Sequence, residues 1–229
     1  MAGKSVTDGP MTGQLDDIRR ESAILPLQIG DQAPRFLARS TLGSFDLDDY
    51  RGGWLVLFSH PADFTPVCTS EVIALARAAD EFAGLGCRLV GLSVDSLYSH
   101  LAWIRLIRDA TGVTVSFPII EDPTMEIARG YGMVGSDARD SGTVRMTYFI
   151  DPEGVIQATS AYPLTVGRSI PEMLRVLKAL QAVRAQAGLA PADWQPGAPL
   201  LRLPGETAEA ALGSEDAAGW FHAPLGDGA

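Results

Sequence analysis

Thiols and imidazoles are scarce in this 229-residue chain: two cysteines, Cys68 and Cys87, and three histidines, His60, His100 and His222. Two cysteines cannot build a disulfide framework, and their separation is not that of a metal-binding pair. The absence of a CxxC motif disfavours a dithiol exchanger. With the histidines scattered along the chain, no structural or catalytic zinc is expected. Gly-rich dinucleotide and phosphate-binding fingerprints are missing as well. Basic charge is in short supply: 18 Lys and Arg stand against 28 Asp and Glu, a net charge of −10. That balance excludes the basic footprint a nucleic-acid partner requires and leaves room for a small neutral substrate. Long apolar runs are absent too. None approaches the ~18 residues of a membrane span. The first stretch, MAGKSVTDGPMTGQLDDIRR, has no signal-peptide core. The Arg19-Arg20 pair is followed by a segment too short and polar for export, so the cytoplasm is the expected compartment.

What is present is apolar residue in quantity, 46% of the chain, enough for one sizeable core. Residues 1–26 are polar and read as a mobile arm. From Leu27 the texture suggests a short strand and turn. WLVLFSH (Trp54 to His60) and CRLVGLSVD (Cys87 to Asp95) are continuous apolar runs, as expected of strands buried on both faces. RMTYFIDPEGVIQATS reads as two strands around an Asp-Pro-Glu-Gly turn. Helical patterns alternate with these runs. One follows Cys68, with Val72, Leu75, Ala76, Ala79 and Phe82 at helical spacing. SLYSHLAWIRLIRDATG is amphipathic, with Gly112 as C-cap. PTMEIARGYG gives a short helix ending at Gly130. The longest starts at the N-cap Ser169, carries Pro171 in its first turn and ends at Gly188. Strands alternating with helices, plus one hairpin, predict an α/β fold around a mixed sheet. The domain therefore spans 27–188. Residues 189–229, rich in Pro, Gly and Ala and carrying Trp194 and Trp220, read as an extension with Trp194 as a packing anchor.

The stretch HPADFTPVCTSE asks why so thiol-poor a chain places a cysteine there. TPVCTSE reads as a helix start: Thr65 at the N-cap, Pro66 at N1 and Cys68 at N3, with the Thr65 oxygen accepting from the Cys68 backbone N–H. Unpaired amides and the helix dipole of a first turn favour negative charge, hence the thiolate. Packing alone would also explain a cysteine in a helix start. The PxxxTxxC spacing of Pro61, Thr65 and Cys68, directly after a buried strand, points instead to the strand-to-helix junctions where α/β folds place chemistry.

FSHPADFTPVCTSE resembles the active-site signature of the peroxiredoxins, and within them the one-cysteine subfamily with a long C-terminal extension. SVDSLYSHLAW, FPIIED, VRMTYFIDPEG, YPLTVGRSIPEMLRVLKALQ and PADWQPG follow in the family's order, so the resemblance covers roughly residues 27–205. It implies a thioredoxin-like fold and a thiol peroxidase without metal or organic cofactor. Cys68 would be the peroxidatic nucleophile, oxidised to a sulfenic acid. Thr65 would orient thiolate and peroxide, Pro61 would shield the sulfur, and Arg145 would pair with the thiolate and polarise the peroxide. His60 would line the pocket, Arg168 would stand behind it, and Glu71 would hold one of the arginines. Without the resemblance, Arg145 reads equally as a surface strand residue, His60 as a strand cap, and His100 and Trp103 as structural. The implied partners are a small peroxide, an external thiol or other small reductant, and a second copy of the chain across a two-fold dimer, with further association of dimers left open.

Cys87 begins an apolar strand and reads as a small buried hydrophobe rather than a resolving thiol. Some relatives carry a phospholipase serine just before the active-site strand; Gly53 stands there in this chain, so no lipase activity is expected by that route. A different class of function, a peroxide sensor or holdase using the same oxidation, is separated from an enzyme by turnover with a reductant. A purely structural Cys68 is the third reading.

Overall fold

The computed structural model describes residues 27–134, 142–213 and 217–225; the arm expected over 1–26 lies outside them. The strands are β1 (Leu37–Ser40), β2 (Gly43–Asp46), β3 (Trp54–Ser59), β4 (Cys87–Ser93), β5 (Ile119–Glu121), β6 (Arg145–Ile150) and β7 (Ile156–Tyr162). They form one sheet in the order β2-β1-β5-β4-β3-β6-β7. The helices are α1 (Pro66–Gly84), α2 (Leu97–Thr111), α3 (Glu126–Gly130), α4 (Ile170–Gln186), α5 (Ala208–Leu212) and α6 (Ala217–Phe221).

β3 lies at the centre, parallel to β4 and antiparallel to β6. All six of its residues are buried. Trp54, Val56 and Phe58 join one apolar cluster with residues of α1, α2 and α4, whereas Leu55 and Leu57 face the opposite cluster with Ala128, Tyr131 and Tyr148. A strand covered on both faces cannot alternate polar and apolar residues, which is why WLVLFS runs unbroken.

Several elements differ from the sequence pattern, among them α5 and α6 in the extension, where no helix is expected. β5 has three residues, too few for any periodicity, and its place between β1 and β4 is set by pairing alone. α4 ends one residue earlier than the glycine suggests: Ala187 takes the left-handed conformation (φ 51°). Gly188 instead permits close packing, since a Cβ there would meet Leu200 Cβ at 2.8 Å. The segment that follows folds back onto the body. Leu189 and Leu201 exchange backbone hydrogen bonds, and Trp194 is buried, its backbone carbonyl accepting from Arg175 Nη1 at 3.1 Å.

The consequence for function lies at one edge. The parallel strands β3 and β4 end there, and antiparallel β6 begins there, with Phe58 opposite Thr147. Ser59 staples the two strands beyond the ladder: its Oγ donates to Val144 O at 2.5 Å and accepts from Met146 N at 3.1 Å. Arg145 is thereby carried to the level at which the chain leaves β3 for α1.

Candidate active site

Cys68 occupies the third position of α1 and is fully buried. The guanidinium of Arg145, buried at the start of β6, donates from Nη1 to Cys68 Sγ at 3.4 Å. The same nitrogen donates to Glu71 Oε2 at 2.6 Å, and Nη2 is anchored on Leu164 O at 2.8 Å. Glu71 lies three residues after Cys68, so one face of α1 presents thiol and carboxylate together. It holds both arginines rather than one: Arg168 donates from Nε to Oε1 and from Nη2 to Oε2, each at 2.9 Å, and its backbone N–H adds a third bond to Oε1 at 2.8 Å. Gly167 lets that backbone come so near. A Cβ there would meet Val67 Cγ1 at 3.3 Å and Glu71 Cγ at 3.7 Å.

Burial alone would raise the Glu71 pKa; the hydrogen bonds and charge of Arg168, with Arg145 behind them, outweigh it and hold the carboxyl below its ordinary range. Two buried guanidinium groups against one carboxylate leave one positive charge over, and that charge faces the sulfur. Arginine suits the place because it stays charged and presents a rigid fork of donors.

Thr65 is the N-cap residue of α1 by backbone conformation, but its side chain makes no cap. The hydroxyl donates to Ala62 O at 2.9 Å instead, which corrects the expected bond from the Cys68 amide. The first-turn N–H groups consequently receive nothing from Thr65, and the hydroxyl, its proton committed, offers lone pairs only. Pro61 is half-buried in the same loop.

His60 is buried and turned to Asp63, with Nε2 to Oδ1 at 2.9 Å. Sequence reasoning passed over Asp63 and took His100 as structural. His100 Nδ1 meets the other carboxylate oxygen of Asp63 at 2.8 Å. The histidines scattered in sequence are thus partly gathered: His60, Asp63 and His100 bring ligand-type atoms within 4.8 Å of one another. The available signal was the i, i+3 spacing of His100 and Trp103, which puts both on one face of α2; their rings lie 6.0 and 5.1 Å from that of His60.

Cys87 is equally buried and lies elsewhere. It pairs with Trp54 at the far end of β3 and β4, so on the order of 15–20 Å of strand separates it from the Cys68 edge. That exceeds the reach of a disulfide without backbone rearrangement. Burial raises its thiol pKa to about 12.

Residues 29–159 match the AhpC/TSA family. Peroxiredoxin 2 of Caldanaerobacter subterraneus subsp. tengcongensis is 48% identical over 180 residues, covering 79% of this chain and 81% of the relative. The peroxiredoxin of Aquifex aeolicus is 46% identical over 170 residues, covering 74% and 77%. Among solved structures, a yeast mitochondrial 1-Cys peroxiredoxin, described for thiol resolution through glutathione and thioredoxin systems, is similar with TM-score 0.75 and 39% identity. The match covers 82% of this chain and 92% of that one. A mutant of peroxiredoxin 6 from Arenicola marina gives TM-score 0.74 and 38% identity, covering 81% and 87%. Among the described residues no helix is long and apolar enough to cross a membrane. By sequence and fold together, the chain belongs to the AhpC/TSA family, the peroxiredoxins, and is a thiol-dependent peroxidase.

Proposed function

We propose that Cys68 is the peroxidatic nucleophile and that Arg145, Thr65 and the first turn of α1 assemble the peroxide around it. The observation that carries this reading is the Arg145 Nη1 to Cys68 Sγ contact of 3.4 Å inside a buried cluster holding one surplus positive charge. The Cys68 sulfur, as thiolate, attacks one peroxide oxygen in line with the O–O bond. The S–O bond forms, the O–O bond breaks, and the electron pair leaves on the second oxygen, which takes a proton to become water or an alcohol. Arg145 and the uncapped amides supply donors to that developing charge, and Thr65, which can only accept, orients the peroxide O–H. Pro61 screens the sulfur from bulk solvent.

The product on the enzyme is a Cys68 sulfenic acid. Because Cys87 is remote, two external thiols return it: the first displaces water to give a mixed disulfide, and the second releases the Cys68 thiol and a reductant disulfide. A thiol of the glutathione or thioredoxin class, as named for the yeast relative, suits this step. The segment after Leu189 leaves Leu203 and Leu212 exposed. These fit burial against a second copy in a two-fold dimer.

One equivalent of hydrogen peroxide added to the reduced protein with dimedone, followed by peptide mass spectrometry, tests the assignment. The adduct is expected on Cys68, with Cys87 unmodified. An adduct confined to Cys87, or a Cys68–Cys87 disulfide, would overturn it.

A further inference from the structure

The His60–Asp63–His100 cluster stands outside the Cys68–Glu71–arginine network, and neither composition nor the reaction above explains it. Both oxygens of the Asp63 carboxylate are engaged, one by His60 Nε2 at 2.9 Å and one by His100 Nδ1 at 2.8 Å. Those hydrogen bonds, chiefly that from His100, outweigh burial and hold Asp63 well below the usual carboxylate range. An ionised carboxylate only accepts, so both facing nitrogens carry protons. His100 Nε2 in turn faces the Ile120 carbonyl at 3.3 Å, another pure acceptor. Both nitrogens of His100 therefore face acceptors. His60 differs. Its Nδ1 is buried with no partner among the described residues, and burial lowers its pKa, so it is the neutral Nε2–H tautomer. The other charges near the cluster are Asp95, whose Oδ2 accepts from Asp63 N at 3.0 Å, and Glu121, which interacts with His100 and is itself paired with Arg39.

The cluster grips a strained loop. Phe64, next to Asp63, holds a left-handed φ of 58°, which a bulky side chain adopts only when its surroundings impose it. On one side of Phe64 the anchor is Asp63. On the other, Thr65 O accepts from Thr69 Oγ1 at 2.7 Å, and Thr69 Oγ1 accepts from Trp103 Nε1 at 3.2 Å. α2 thus holds the loop at two points, His100 and Trp103, on either side of the strained residue.

We propose that Asp63 and His100 are positioning residues: a carboxylate clamped between the rings of His100 and His60 fixes the His60–Thr65 loop, and so sets Pro61 and Thr65 over the Cys68 sulfur. The proposal rests on the assignment of Cys68 and Thr65 above. Releasing the clamp lets Phe64 relax, and a shift of about 1 Å at Thr65 costs about 100-fold in rate.

Two measurements test it. Long-range ¹H–¹⁵N imidazole spectra of the native protein at neutral pH should show His100 Nδ1 protonated toward Asp63 and His60 as the Nε2–H tautomer. The rate of Cys68 oxidation by hydrogen peroxide should fall about 10- to 100-fold in Asp63→Asn, whose amide opposes one imidazole N–H. His100→Asn, which keeps an N–H toward Asp63, should retain more of the rate than His100→Leu. A His100 whose Nδ1 carries no proton, or an Asp63→Asn protein oxidised at the unmodified rate, overturns the proposal. Should Asp63→Asn fail to fold, the native spectra and the two His100 variants still decide. Failure of the Cys68 assignment looks different: the unmodified protein itself would not oxidise at Cys68.

Discussion

The two cysteines are a controlled experiment inside one molecule. Both are buried and free, and both belong to the same apolar cluster on one side of the sheet. Burial alone would make both inert. They differ in which end of β3 they lie beside. Cys87 sits where β3 and β4 begin, surrounded by apolar side chains. Cys68 sits where they end, facing a guanidinium. On the role proposed for Cys68, a buried thiol becomes a reaction centre through the donors aimed at it, not through exposure.

That comparison can be broken from the Cys68 side. Replacing Arg145 by Leu should make Cys68 resemble Cys87, lowering its rate of oxidation by peroxide about 100- to 1,000-fold, the usual cost of removing one aimed donor from a site of developing charge. Stopped-flow tryptophan fluorescence would follow it, and an unchanged rate would remove Arg145 from the reaction. Next in size is Glu71→Ala. It strands two buried guanidinium groups and should cost about 3–5 kcal/mol in urea unfolding, the range for breaking a buried ion pair. A cost under about 1 kcal/mol would mean that water replaces the carboxylate.

Acid should weaken the Cys68 edge through its own groups. Burial lowers the His60 pKa in the folded state, so below its ordinary value of about 6.5 the unfolded chain binds more protons and stability falls with pH. Asp63 and Glu71 are also lowered, from 3.8 and 4.5, and extend the loss below about pH 4.5, in the same direction. A melting temperature that stays flat from pH 7 to about 5.5 would contradict the neutral, buried His60. Smallest is the change at the other cysteine. Cys87→Ala should cost about 1 kcal/mol and leave peroxide reduction unaltered. A rate loss there would bring Cys87 into the chemistry.

Much of this was legible in the residues. The unbroken run Trp54–Ser59 identifies a central strand because only a strand covered on both faces dispenses with polar residues. Pro61, Thr65 and Cys68 are read together because one loop and one helical turn fix their spacing locally. Glu71 belongs to the same turn, so its place beside Cys68 needed no tertiary information. β5 was illegible because three residues carry no period. The Thr65 hydroxyl was misplaced because cap residue and cap bond are separate facts, and Ala62 O competes with the helix amides for it.

By itself, then, the sequence determined the helix start that carries Cys68, the strand before it and the identity of the family, all of which rest on contiguous residues. Only the tertiary structure decided what faces the sulfur. Arg145 lies 77 residues from Cys68 and Arg168 lies 97 from Glu71. The antiparallel register of β6 and the loop after β7 bring them to the same edge. Asp63 and His100, 37 residues apart, meet for the same reason. Such pairings are fixed by strand register and helix crossovers, which no local periodicity records.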